Sequence, residues 1–214
     1  MLLTLATRDF SFNKRAVIGG WLASLAFTII GVLEGSAAGI VFALFLPLMV
    51  MMKQAVERSC YLDDLHDAHQ FLVSMPVSRE QIVVAKYVTG FAAAAVVQVD
   101  LVAVALIARA AGAVVAPLDW GLMAIGAAVA LIYLAVFLGL YFRSGAPAAQ
   151  QAPYLLIASF FVILGLKGPL AGAAGSLPAM AAPGLQWIAL TAGLVGFALS
   201  CLLSARRFAR RITA

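Results

Sequence analysis

The sequence predicts an all-α polytopic membrane protein. It has six transmembrane helices, an amino-terminal interfacial helix and a cytoplasmic helix between the second and third spans. Three observations carry this. The 214 residues are 64% hydrophobic and only 11% charged, with a mean hydropathy of +1.06, whereas soluble domains are about half apolar. Several uncharged runs are long enough to cross a hydrocarbon core roughly 30 Å thick, which takes about 20 helical residues. Those runs are continuously apolar rather than alternating. That selects helices over a barrel at a depth where no water satisfies the backbone.

The elements follow in chain order as one transmembrane domain, 1–214. In residues 1–15, "LLTLATRDFSFNKR" sets Leu2, Leu5, Asp9 and Phe12 at helical spacing beside Arg8, Lys14 and Arg15. This pattern suits a helix lying along the inner leaflet, with a frayed terminus as the alternative. The predicted spans are 16–33, 37–52, 82–108, 120–142, a short fifth at 152–166, and 185–204. The first is longer than a signal-peptide core and has fifteen residues before it, which argues against cleavage. Segment 167–184, "KGPLAGAAGSLPAMAAPG", is apolar but broken by Pro169, Pro178 and Pro183. It either dips into the outer leaflet, shielded by protein, or runs as a surface loop.

Basic residues concentrate in cytoplasmic segments. With the amino terminus inside, Arg8, Lys14, Arg15, Lys53, Arg58, Arg79, Lys86, Arg143, Arg206, Arg207, Arg210 and Arg211 fall on the inner side and only Arg109 and Lys167 on the outer. An even number of spans then places both termini in the cytoplasm and the chain in the cytoplasmic (inner) membrane. Trp120 and Trp187 fall near the outer interface, where indoles prefer to sit. The net charge of +5 therefore reports topology and contact with anionic membrane lipids. A nucleic-acid partner is not expected, since its footprint would be a basic groove or patch. Cys60 and Cys201 both fall on the inner side, so no disulfide is expected.

The segment 56–80 is the most structured polar stretch. Tyr61 or Leu62, Leu65, His69 and Leu72 recur at helical spacing, while Asp63, Asp64 and Asp67 fill the other face. Next comes a helix start. Ser78 is a natural N-cap, with Gln81 three residues on, completing a capping box. Val77 and Ile82 form a hydrophobic staple, and Glu80 sits where the helix dipole favours an acid. Pro76 disfavours helix at Met75 and separates the two elements. Lys86 and Tyr87, one to two turns further on, suit the lipid headgroup level. An acidic helix on the inner side runs against the positive-inside trend. Docking of a soluble protein partner is one reason for it, and a plain solvated connection is the other.

The stretch "FLVSMPVSREQIVVAKYVTG", Phe71–Gly90, resembles the pattern "L-x-SLPVSR-x-x-IV-x-AKY-x-x-G" of the membrane subunits of type-2 ABC exporters. Ser74, Pro76, Val77, Ser78, Arg79, Ile82, Val83, Lys86 and Tyr87 carry the match. The lead-in "ATRDFSFNKR", the six spans and the basic tail are also similar to that family. The resemblance implies a permease of two subunits, usually identical or else related, paired with a separate ABC ATPase that holds ATP and Mg. The helix between spans two and three would transmit the ATPase motion. It maps to Asp63, Asp64, Leu65, Asp67 and Leu72, and to the turn at Pro76, Val77, Ser78 and Arg79. Relatives often carry an "F-G-x-x-K-A-R"-like segment after the fourth span. Here it reads "YFRSGAPAAQQAP", with Phe142, Arg143 and Gly145 present and the later basic residues missing. The resemblance therefore carries no second ATPase contact at this loop.

Enzyme chemistry is not legible. There is no G-x-x-x-x-G-K-[ST] phosphate loop, no H-E-x-x-H and no G-x-S-x-G, so no cofactor is expected on this chain. His66 and His69 with Asp63 and Asp67 could face a metal, but solvated helix residues are the simpler reading and no metal is expected. Asp100 lies in mid-span with Gln98 nearby. Such a carboxylate faces a bundle interior or a watery cavity: it either lines a substrate pathway and takes up a proton, or bonds to a neighbouring helix. Glu34, at the outer end of the first span, pairs with Lys167 or is an ordinary interfacial residue. The small-residue runs "GFAAAAV", "GAAVA" and "TAGLVG" allow close helix packing, within a bundle or between copies. The expectation is an exporter permease for an amphiphile such as a peptide, drug or lipid. A proton-coupled transporter using Asp100, and a scaffold that recruits a cytoplasmic partner, are the alternatives.

Overall fold

The computed structural model describes residues 7, 11, 13–65, 78–115, 118, 120–151, 154 and 184–211. All regular structure among them is helical. The elements are α1 (Lys14–Leu33), α2 (Ala37–Met52), a π-helical turn (Lys53–Glu57), α3 (Arg58–Leu65), α4 (Arg79–Ala110), α5 (Trp120–Ser144), α6 (Ala146–Ala149) and α7 (Leu185–Arg211). Five helices among the described residues are long and apolar enough to cross a membrane: Lys14–Leu33, Gly39–Leu65, Arg79–Ala110, Trp120–Ser144 and Gln186–Phe208. Apart from Tyr154, the expected fifth span at 152–166 lies outside the described residues. So does nearly all of 167–184 and most of the expected interfacial helix 1–15.

The second helix does not stop at Met52. It runs without a break through the π turn to Leu65. The physical reason is in its buried residues. Leu48, Met52, Val56 and Cys60 all face the core and recur every four residues. In an α-helix of 3.6 residues per turn, that stripe would rotate by about 40° each turn. A turn of wider i→i+5 bonds takes back the drift and keeps the stripe on the bundle. Lys53 is exposed at this turn and does not end the helix.

Helices α1 and α2 are antiparallel and very close. A Cβ placed on Gly31 would fall 2.5 Å from the Gly39 carbonyl oxygen, and one on Gly20 would fall 2.7 Å from Gln54 Cβ. Gly35, at φ 72°, makes the turn between them, a left-handed conformation that glycine adopts without steric cost. One glycine from each small-residue run makes a close contact within the chain. A Cβ on Gly90 would meet Leu134, on Gly126 Leu44, and on Gly193 the backbone of Ala128.

Helices α5 and α7 run parallel. Ala128 faces Gly193, the Ser200 hydroxyl donates to the Ala135 carbonyl at 2.6 Å, and Phe142 meets Phe208 edge to face. Their first residues therefore lie at one end of the bundle, with Trp120 and Trp187 both exposed there. Their basic ends lie together at the other.

Two apolar clusters hold the bundle. The smaller joins Val32, Ala43, Leu44, Leu101 and Ala105 near the α1–α2 turn. The larger joins α2, α3, α4, α5, α6 and α7 toward the basic end, around Tyr87, Tyr133 and Phe137.

Candidate functional site

The basic end of the bundle carries a layer of polar contacts around α3. Lys86 is 4% exposed and Asp63 6%. The Lys86 ammonium lies 2.6 Å from an Asp63 carboxylate oxygen and donates to the Ser59 hydroxyl at 2.6 Å. A buried ammonium needs such partners, because an unpaired charge out of water is costly. Asp64 turns the other way and accepts from the Ala146 backbone N–H at 2.7 Å, at the start of α6; the Tyr141 hydroxyl donates to it as well. Gly145 makes this approach possible: its φ is 86°, and a Cβ there would lie 3.3 Å from Asp64 Oδ2. About two turns away, the Tyr133 hydroxyl donates to Glu57. Asn13, just before α1, donates its amide to the Gln54 carbonyl at 2.7 Å.

This arrangement corrects the expectation for the acidic helix. Asp63 is not on a solvated face, and Asp64 is only half-exposed. Lys86, Tyr141 and the Ala146 amide draw the acids inward. The side chains left outward on α3 are Arg58, Tyr61 and Leu65, with Tyr61 47% and Leu65 59% exposed. The expected headgroup placement of Lys86 and Tyr87 is corrected too. Both are buried in protein, and the Tyr87 hydroxyl bonds to Ser200 at 2.8 Å and Ser204 at 3.1 Å on α7. The signal for this was present. An ionisable residue two turns inside a span needs a partner, and Asp63 is an acid at the facing depth.

Ser78 caps α4, its hydroxyl accepting from the Gln81 amide at 3.3 Å, and Arg79 is half-buried beside it. Asp67, Leu72, Pro76 and Val77 lie outside the described residues, as do His66 and His69. The segment 66–77 is thus flanked by two fixed ends. On one side α3 is locked to α4 and α6 through Asp63 and Asp64, and on the other α4 starts at a side-chain cap.

The mid-span pair behaves differently. The Trp21 indole N–H donates to Asp100 Oδ2 at 2.9 Å, joining α1 to α4. Gln98 and Asp100 are two residues apart and so leave a helix on different sides. Both polar atoms of the Gln98 amide are buried without a hydrogen-bond partner among the described residues. The structure therefore does not bring Gln98 and Asp100 together. Trp21 as the partner of Asp100 was not legible in the sequence, since a single indole in an apolar helix gives no pairing signal. No group of three or more potential metal ligands occurs among the described residues.

A bundle with five helices long and apolar enough to cross a membrane, among the described residues, defines a polytopic membrane protein. Residues 4–209 match the family model described as ABC-2 family transporter protein. The match covers nearly the whole chain, and the protein belongs to that family. Comparison with curated proteins and with solved structures gives no match.

Proposed function

We propose that this chain is the permease subunit of an ATP-driven exporter, energised by a separate ABC ATPase and working with a second permease copy. The observation that carries the reading is the clamp around 66–77. Asp63–Lys86 and Asp64–Ala146 tie one end of that segment to neighbouring elements, and at the other end Ser78 caps the first turn of α4. A push on a loop with compliant ends would be dissipated locally. A push on this one reaches α2, α4 and the α5–α6 junction together.

In this reading the ATPase binds Leu65, Tyr61 and the 66–79 stretch, including Asp67, Leu72, Pro76, Val77, Ser78 and Arg79. Asp63 and Asp64 act as positioning residues that join this stretch to the spans. Closure of the ATPase around ATP and Mg moves the bundle between inward and outward access. Both termini then lie in the cytoplasm, and the apolar spans suit an amphiphilic substrate. The membership of the ABC-2 family supports the reading, as does the lack of a phosphate-loop motif in these 214 residues.

The test is gentle purification from the native host with a carboxyl-terminal tag. A nucleotide-binding subunit is expected to co-purify. The variants Leu65→Asp and Asp67→Lys should lose it while keeping the thermal midpoint of the bundle. Absence of any ATPase under several mild conditions would sink the reading.

A further inference from the structure

On one face of the α5–α7 pair lies an open groove of about 440 Å³. Gly139 and Gly196 form its floor, and Val136, Leu199 and Leu203 its walls. At its basic end stand Arg143 and Arg207, both exposed and neither hydrogen-bonded nor ion-paired among the described residues. The two serines that reach the groove are already engaged: Ser200 donates to the Ala135 carbonyl and bonds to Tyr87, and Ser204 bonds to Tyr87. What remains is an apolar trough with two positive charges at one end that are unmatched among the described residues.

Its length is informative. From Gly196 to Arg207 a helix rises about 16 Å, and from Ala135 to Arg143 about 12 Å. One leaflet of the hydrocarbon core is about 15 Å deep. The groove thus runs the depth of a leaflet and places its arginines at headgroup level. Basic pockets between transmembrane helices at that level bind anionic lipid headgroups, and guanidinium pairs are well suited to phosphate.

We propose that this groove is a binding site for an anionic phospholipid. One acyl chain lies over Gly139 and Gly196, and the phosphate sits between Arg143 and Arg207. The inference needs only a membrane-spanning bundle, and it stands or falls separately from the exporter reading.

The test uses the purified chain in detergent, with the unfolding midpoint and lipid retention in native mass spectrometry as readouts. Phosphatidylglycerol, phosphatidylcholine with the same acyl chains, and inorganic phosphate are the probes. Two variants accompany it. The double variant Arg143→Gln/Arg207→Gln removes the charges. Gly196→Phe fills the trough, and a Cβ at Gly196 meets nothing within 4 Å, so the bundle itself should be undisturbed. Phosphatidylglycerol is expected to be retained at roughly 30-fold lower concentration than phosphatidylcholine, the usual worth of two basic residues beside an anionic headgroup. Both variants should lose that preference while keeping the lipid-free midpoint. Equal retention of the two lipids, unchanged phosphatidylglycerol binding in Gly196→Phe, or equal stabilisation by inorganic phosphate would each overturn the proposal. So would a lipid-independent dimer that Gly196→Phe disrupts.

Discussion

Lys86 on α4 and Asp63 on α3 form a buried ion pair 2.6 Å apart, and the pair ties the basic-end extension of α2 to α4. Its worth lies in the joint more than in raw stability, because a buried pair gains little over a well-packed apolar one.

Removing one partner should therefore be far worse than removing both. Lys86→Met leaves Asp63 uncompensated and is expected to cost about 3–5 kcal/mol, read as a fall in unfolding midpoint in detergent. The double variant Lys86→Met/Asp63→Asn should recover most of that loss. If the two single effects simply add in the double variant, the pair is not a coupled unit. The recovered double variant is also expected to transport poorly, because the joint between α3 and α4 is gone.

Close helix contacts make a second, internally controlled prediction. Gly31→Val should push α1 from α2, since its Cβ would meet the Gly39 carbonyl at 2.5 Å; folded yield should collapse. Gly19→Ala, where a Cβ meets nothing within 4 Å, should be neutral or gain up to about 1 kcal/mol from helix propensity. Folded yield by size-exclusion fluorescence separates the two.

The Ser78 cap should be worth about 0.5–2 kcal/mol of local stability. Ser78→Ala is expected to speed hydrogen exchange at the amides of Gln81 and Ile82, while Ser78→Asp, another good cap, should leave them protected. A fall in ATP-driven transport in Ser78→Ala alone would show that the fixed start of α4 matters to coupling.

Asp100 offers the sharpest contrast with a proton-driven mechanism. Asp100→Asn keeps an acceptor for the Trp21 indole, so stability and transport should both survive. Transport lost in Asp100→Asn, yet seen in the wild-type chain with no ATPase present, would instead favour proton coupling.

Much of the fold was legible because its signals are local. The continuous apolar runs gave the all-α polytopic class, and Ser78 with Gln81 gave the start of α4. What the sequence hid depends on pairing across the bundle. The lysine at Lys53 looked like the end of a span, but the apolar stripe through Val56 and Cys60 carries the helix onward. The acids at Asp63 and Asp64 looked like an exposed face: Lys86 signalled a need for some acid, but nothing local names Asp63 as that acid or shows the Ala146 amide opposite Asp64. The helical period alone cannot say which face of an amphipathic segment turns inward. The partners decide it, and they lie 23 and 82 residues away.

The parallel pairing of α5 with α7 also sets an order of manufacture. Tyr87 bonds to serines 113 and 117 residues further along, and Phe142 waits for Phe208. The larger apolar cluster includes Ala205 and Phe208. Long-range contacts of this kind close late. As the chain emerges from the ribosome, α4 and α5 stand with one flank unfilled until α7 is made. A stop codon shortly before α7 would therefore release a half-built bundle with Tyr87 bare, a ready substrate for membrane proteases.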